Sequence, residues 1–243
     1  MPDMVTLPYS SPATPQQRQF NPYSENGGTI LAISGADFSV IAGDTRQSEG
    51  YSIQTRYAPK VFRLTDNAVL AVNGFAADGN MFVKQVRQRL ELSIVFPVPS
   101  RLRSLYSPHG ILLDTIIVTG SGAVYSFDPV GSYERESCRA AGAAQSLVQP
   151  FLDNQIYFKN QVPQPGHPHP QHLPLTTVIQ LVIDSFTSAT ERHIEVGDGL
   201  EMFIVLAKGS PLYGLENIDG VQEMTVTNEG ERIFVVRRNL KRD

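Results

Sequence analysis

One cysteine, Cys138, stands in a chain of 243 residues, and there is no tryptophan. A lone cysteine excludes an internal disulfide framework and fits a reducing compartment. No apolar run approaches the roughly 18 residues of a membrane-spanning helix. No block of five or six like charges occurs, and 20 Lys+Arg against 24 Asp+Glu give a net charge of −4. That balance carries neither a nucleic-acid footprint nor a membrane-surface patch. The first 28 residues lack the apolar stretch of a secretory signal. What is present is a 41% hydrophobic share, which excludes disorder throughout and gives a chain of this length a sizeable core. The expectation is a soluble intracellular globular protein.

Residues 1–27, polar and rich in Pro, Ser, Gln and Asn, bury too little apolar surface to offset ordering entropy. They read as a flexible leader whose second half, with Phe20 and Tyr23, is expected to dock on some other surface; residues 28–243 read as a single domain with a C-terminal extension over 208–243. TILAIS (29–34) and FSVIA (38–42) flank Gly35-Ala36-Asp37 as a tight hairpin. NAVLAVNG (67–74) gives another strand. From Ala76 to Leu92 the period changes, with Phe82, Val86 and Leu90 on one helical face. Strands over 112–119 and 123–128 turn at Gly120-Ser121-Gly122. A second helix is expected from about Ala140 to Leu152, perturbed at Pro150, and a proline-rich surface loop over 161–174. A third helix, capped by Thr176 or Thr177, carries Val178, Val182 and Phe186 on one face. Strands follow at 200–207, 223–227 and 232–236, the last two turning at Asn228-Glu229-Gly230. Strands, helix, strands, two helices, strands is not βαβ alternation; it points to two antiparallel sheets with helices outside them, an α+β fold.

Local motifs carry little chemistry alone. His167, His169 and His172 have ligand-type side chains, but the interleaved prolines deny them a rigid scaffold, and a solvated loop is expected. Gly120-Ser121-Gly122 precedes a strand and reads as a turn, not a phosphate cradle. Cys138 lacks an activating neighbour and reads as a buried thiol. Asp44-Thr45-Arg46 by itself reads as a charged turn.

Taken together, GGTILAI (27–33), GDTR (43–46), YAPKVF (57–62), NGFAADG (73–79), YSFDPVGSYERE (125–136), PFLDNQ (150–155), DSFTSATERHIEVGDGLE (184–201) and LKRD (240–243) form a pattern. It resembles the β subunits of the eukaryotic proteasome core particle, most nearly the type-1 chain at the sixth β position in a fungal-like form. The resemblance covers about residues 19–90 and 115–207 and the final residues. It implies the N-terminal-nucleophile hydrolase fold, a four-layer αββα sandwich of two antiparallel sheets between helix layers. Active members of that family are threonine proteases: a chain-terminal threonine hydroxyl attacks the peptide carbonyl, and a free amine takes its proton. A nearby aspartate and lysine set the field, hydroxyl groups support them, and a glycine N–H supplies the oxyanion hole.

In active members the aspartate follows the nucleophile by sixteen residues and the lysine by thirty-two. Counted back from Asp44 and Lys60, both intervals reach Gly28, which has no hydroxyl. Thr29 is the alternative nucleophile, but its intervals are one short, and a one-residue offset on a strand faces the opposite way. Active relatives read Ala-Thr-x-Arg-Asp-x-x-Ser-Gly-Gly near the third helix. Here His193 stands for the aspartate, Val196 for the serine and Asp198 for the second glycine. Their Gly-Ser-Gly corresponds to Gly142-Ala143-Ala144, so Ala143 removes another hydroxyl. Gly74 matches the oxyanion-hole glycine. Asp44 and Lys60 are expected to persist as an internal ion pair.

The resemblance therefore implies a catalytically inactive, structural β subunit, needing no cofactor and no metal. Its partners would be neighbouring β subunits in its ring and across the ring–ring interface, and α-ring subunits, in cytoplasm and nucleus. The leader would be trimmed near Arg18–Gln19 by an active neighbour. Residues 91–114 are shorter than in relatives and carry Pro97, Pro99 and Pro108. Two alternatives stay open: a threonine protease using Thr29, and a standalone hydrolase or binding domain of the same fold.

Overall fold

The computed structural model describes residues 23–91, 113–128, 131–162, 173–211, 215, 220–226 and 232–243. The first apolar runs fold as read: β1 (Thr29–Ser34) and β2 (Phe38–Asp44) form an antiparallel hairpin. Its turn requires glycine, because a Cβ on Gly35 would stand 2.3 Å from the Phe38 ring.

This hairpin is the centre of a six-stranded sheet. β10 (Cys138–Gly142) lies beside β1, and β11 (Gly199–Leu206) beside β2. β13 (Arg232–Asn239) and β12 (Val221–Val226) complete the order β10-β1-β2-β11-β13-β12, every pair antiparallel. A five-stranded sheet runs β5 (Val61–Arg63), β6 (Ala68–Gly74), β7 (Leu113–Thr119), β8 (Ala123–Phe127), β9 (Tyr133–Glu136). β3 (Gln47–Glu49) and β4 (Ser52–Thr55) pair only with each other. The described residues hold three helices: α1 (Ala76–Glu91), α2 (Gln145–Gln155) and α3 (Leu175–Arg192).

Strand alternation sorts the apolar side chains into three clusters. Ile30 and Ala32 of β1 pack with Val69, Ala71, Ile116 and Val118 of the second sheet. The intervening Leu31 and Ile33 pack with Val148 and Leu152 of α2 and Val178, Val182 and Phe186 of α3. On β6 the same alternation sends Leu70 and Val72 against Phe82, Val83 and Val86 of α1. Each fully buried Leu, Ile, Val or Phe among them stabilises the fold by about 1.5–3 kcal/mol relative to exposure, so the two-sided burial of β1 holds its position firmly.

Three expectations need correction or extension. The helix expected from Ala140 starts only at Gln145; Ala140, Ala141 and Gly142 pair as β10 with Leu31, Ile30 and Thr29. Alanine's helix propensity is overridden there by cross-strand pairing. Gly142, at φ +99° with a virtual Cβ 1.7 Å from Asn73 Nδ2, admits no side chain. Helix α2 runs through Pro150. Helix α3 opens at Leu175 behind Pro174, without a side-chain cap from Thr176 or Thr177; proline's fixed φ is compatible with a helix start. Most of the 161–174 loop, most of 91–114 and the 228–230 turn lie outside the described residues. No described helix is long and apolar enough to cross a membrane.

Candidate functional site

Where β1 begins and β2 ends, the chain brings Gly28, Asp44 and Lys60 together. Lys60 stands just before β5, so it reaches the end of β2 from the second sheet. Its ammonium lies 3.3 Å from Asp44 Oδ1 and donates to the carbonyls of Asp44 (3.0 Å) and Arg46 (2.6 Å). Three N–H donors thus meet three acceptors. Asp44 is fully buried. Its Oδ1 also accepts from the Thr29 N–H (2.8 Å), and its Oδ2 from Arg46 N–H (3.2 Å) and Gly197 N–H (3.4 Å). Burial pushes the Asp44 pKa up, and the Lys60 charge and the Thr29 and Gly197 N–H donors oppose the rise.

Gly28 sits at φ +83°, and a Cβ there would lie 2.0 Å from Lys60 Cε and 3.0 Å from Asp44 Oδ1. The space a side chain at position 28 would use is therefore the space Lys60 occupies. Its carbonyl accepts from Asn73 Nδ2 (3.1 Å) and from Ala143 N–H (2.9 Å). Thr29 is fully buried and has the strand parity of Leu31 and Ile33, on the helix side. Its hydroxyl accepts from Ala144 N–H at 2.9 Å, beside the start of α2.

Gly74, at the end of β6 and at φ +116°, lines a cavity of about 140 Å³ together with Gly27, Lys60, Asn73 and Phe75. Tyr23 meets Phe75 edge-on, with ring centres 5.6 Å apart. Asn26 is buried; its Oδ1 accepts from Ala76 N–H (2.8 Å), the first residue of α1, and its carbonyl from Ser48 N–H (3.1 Å). A side-chain oxygen there satisfies an amide that the helix leaves unpaired.

The remaining positions singled out in the sequence scatter. Val196 packs in the core between the six-stranded sheet and α2 and α3. His193 ends α3, accepts from Glu195 N–H through Nδ1 (3.3 Å), and lines a separate surface depression with Tyr51 and Ile194. Asp198 is buried at φ +67°. Its carboxylate takes Arg46 Nε at 2.7 Å and also pairs with Arg56 Nη1. Burial alone would raise the Asp198 pKa; the Arg46 and Arg56 hydrogen bonds outweigh it and hold the group below the usual carboxylate range. Cys138 is buried, and burial first, then the charges of Asp153 and Glu136, push its thiol up to about 12. His167, His169 and His172 lie outside the described residues.

Three contributors were not singled out from sequence: Asn26, Arg46 as an ion-pair partner, and Asn73. Arg46 offered a signal, standing two residues after Asp44 in the same short run. An acidic residue at the glycine position held by Asp198 calls for such a cation. Asn26 and Asn73 carry no local signal, because each acts through a partner on another element.

The chain is similar in sequence to known proteins. The model of the family "Proteasome subunit" matches residues 24–95. "Proteasome subunit beta type-6" of Saccharomyces cerevisiae is 52% identical over 228 residues, covering 84% of this chain and 94% of the relative. "Probable proteasome subunit beta type-6" of Schizosaccharomyces pombe is 41% identical, over 79% of this chain and 94% of the relative. "Proteasome subunit beta type-1" of Danio rerio is 42% identical, over 80% and 87%. At such identity over most of its length, the chain belongs to the proteasome β-subunit family, alongside the type-6 chains of fungi and the type-1 chains of animals.

Proposed function

We propose that this chain is a non-catalytic structural β subunit of the 20S proteasome core, a wall segment of the β ring in the particle that degrades ubiquitin-marked proteins. One observation carries the reading: position 28, which Asp44 and Lys60 surround, has no side chain, and Lys60 fills the space one would use. A nucleophile needs a hydroxyl or thiol within reach of its base. The neighbouring Thr29 hydroxyl is engaged by Ala144 N–H. Ala143 and Val196, in place of two serines, offer no side-chain hydrogen bond.

In this reading the three apolar clusters stack as the four-layer αββα sandwich of N-terminal-nucleophile hydrolases. The chain contacts adjacent β subunits, the opposite β ring and the α ring, in cytoplasm and nucleus, and needs no cofactor. A ring of unlike subunits uses heterologous contacts, so each neighbour is specific. An active neighbour trims the leader near Arg18–Gln19, and the segment from Tyr23 to Gly28 stays in place.

The test is intact-mass and N-terminal analysis of the subunit from native particles. A start at or near Gln19 agrees with the structural role. A start at Thr29, or labelling of Thr29 by an electrophile reactive toward terminal threonines, establishes the protease reading instead. A free, stable monomer with no large complex would sink both.

A further inference from the structure

We infer that residues 240–243 form a latch that presets the 193–198 loop. After β11 and β13 finish pairing at Gly199 and Asn239, the two strands continue to hold each other. Asp198 N–H donates to Lys241 O (3.0 Å), and Leu240 N–H donates to Asp198 O (3.1 Å). Asp198 does this at φ +67°, a conformation that disfavours any residue with a Cβ and persists only where surroundings over-determine it.

Those surroundings are ionic. Arg46, 3% exposed, distributes its guanidinium over three carriers of the loop and latch. Nε goes to Asp198, Nη1 to Ile194 O (2.7 Å) and Nη2 to Asp243 Oδ1 (3.1 Å). Arg56 repeats the link, with Nη1 on Asp198 and Nη2 on Asp243 O (3.2 Å). Lys241 ties the segment to α3 through Glu191 at 3.1 Å. The planar, always-charged fork of arginine suits such multi-point fixing. On its inner side the loop closes over the buried carboxylate, through Gly197 N–H on Asp44 Oδ2. On its outer side it displays Ile194, 59% exposed, next to Tyr51, 97% exposed, at the tip between β3 and β4. The latch therefore fixes one loop that both completes the Asp44 environment and holds Ile194 exposed on the outside.

Hydrogen–deuterium exchange on the full-length chain tests this, compared with Asp243→Ala, Lys241→Ala/Asp243→Ala and a chain ending at Asn239. Exchange across 194–199 is expected to quicken by about tenfold or more in the shortened chain, and by less in Asp243→Ala, while β1 and β2 keep their protection. Loop exchange equal to wild type in the shortened chain overturns the inference. So does equal quickening of the loop and of β1 and β2, since that reports general loosening. Should the shortened chain fail to fold, Asp243→Ala decides on the same criterion.

Discussion

Lys60 Cε stands 2.0 Å from the point that a Cβ on Gly28 would occupy, and Lys60 Nζ stands 2.7 Å from it. Restoring a side chain at position 28 would therefore displace the lysine from its three oxygen partners. Gly28 also holds φ +83°, which costs a residue with a Cβ of order 1–3 kcal/mol. Gly28→Ala is expected to destabilise the chain by about 1–3 kcal/mol, read from denaturant unfolding. Gly28→Thr should behave likewise and gain no peptidase activity. An unchanged unfolding midpoint in Gly28→Ala would show that Lys60 relaxes at no cost.

Removing Lys60 is the more severe change. Asp44 is fully buried and Lys60 is the only cation paired with its carboxylate among the described residues. Breaking a buried pair from one side costs about 3–5 kcal/mol, less where the carboxyl takes up a proton. Lys60→Ala is expected to lie in that range, and Lys60→Ala/Asp44→Asn to recover part of the loss. Full thermal stability in Lys60→Ala would mean that the three N–H donors on Asp44 suffice to hold its charge.

Asn26 gives a test of the segment ahead of β1. Loss of a side-chain cap costs about 1 kcal/mol, and Asn26 Oδ1 is the acceptor for the first amide of α1. Asn26→Ala should lower stability by about that amount and hasten exchange at the start of α1 while the far end of the helix is unchanged. Uniform behaviour along α1 would show that Asn26 is not its cap.

These contacts mark how far the sequence alone reaches. Strands β1, β2, β6 and β11 were legible as apolar runs bounded by turn residues, because burial on both faces leaves a continuous signal. The Gly28, Asp44 and Lys60 grouping was legible by spacing once the resemblance supplied the intervals. Strands β3 and β9 were not, being QSE and YERE with little burial. Ala140–Gly142 misled because the two alanines carry helix propensity, whereas their partner β1 lies more than a hundred residues away. The Arg46–Asp198 pair, 152 residues apart, leaves no periodic trace at all.

Acid should act on Asp198 in a defined direction. Its folded pKa lies below the usual range, because hydrogen bonds from Arg46 and Arg56 outweigh burial. Such a group adds stability that is complete above its unfolded value of about 3.9 and is lost as pH falls through the folded value. The stability gap between wild type and Asp198→Asn is expected to be level from about pH 5 to 8 and to narrow below about pH 4. Asp44, with a raised pKa, has the opposite sign: its contribution is present below the unfolded value and fades as pH rises through the folded one. Because Asp44 is shared by both proteins, it cancels in the comparison. A gap that widens on acidification would contradict the assigned role of the arginines.

Asp198 further separates backbone strain from charge pairing. Asp198→Ala and Asp198→Gly both remove the carboxylate and leave Arg46 with a buried charge facing fewer acceptors. Only glycine adopts φ +67° without a Cβ penalty, worth about 1 kcal/mol. Both variants should be less stable than wild type, since a broken buried pair outweighs relief of the backbone. Asp198→Gly should nevertheless unfold at a higher denaturant midpoint than Asp198→Ala. If glycine proves more stable than aspartate itself, the ion pair contributes less than the strain it holds, and Arg46 then finds its stabilising partners in Ile194 O and Asp243 alone.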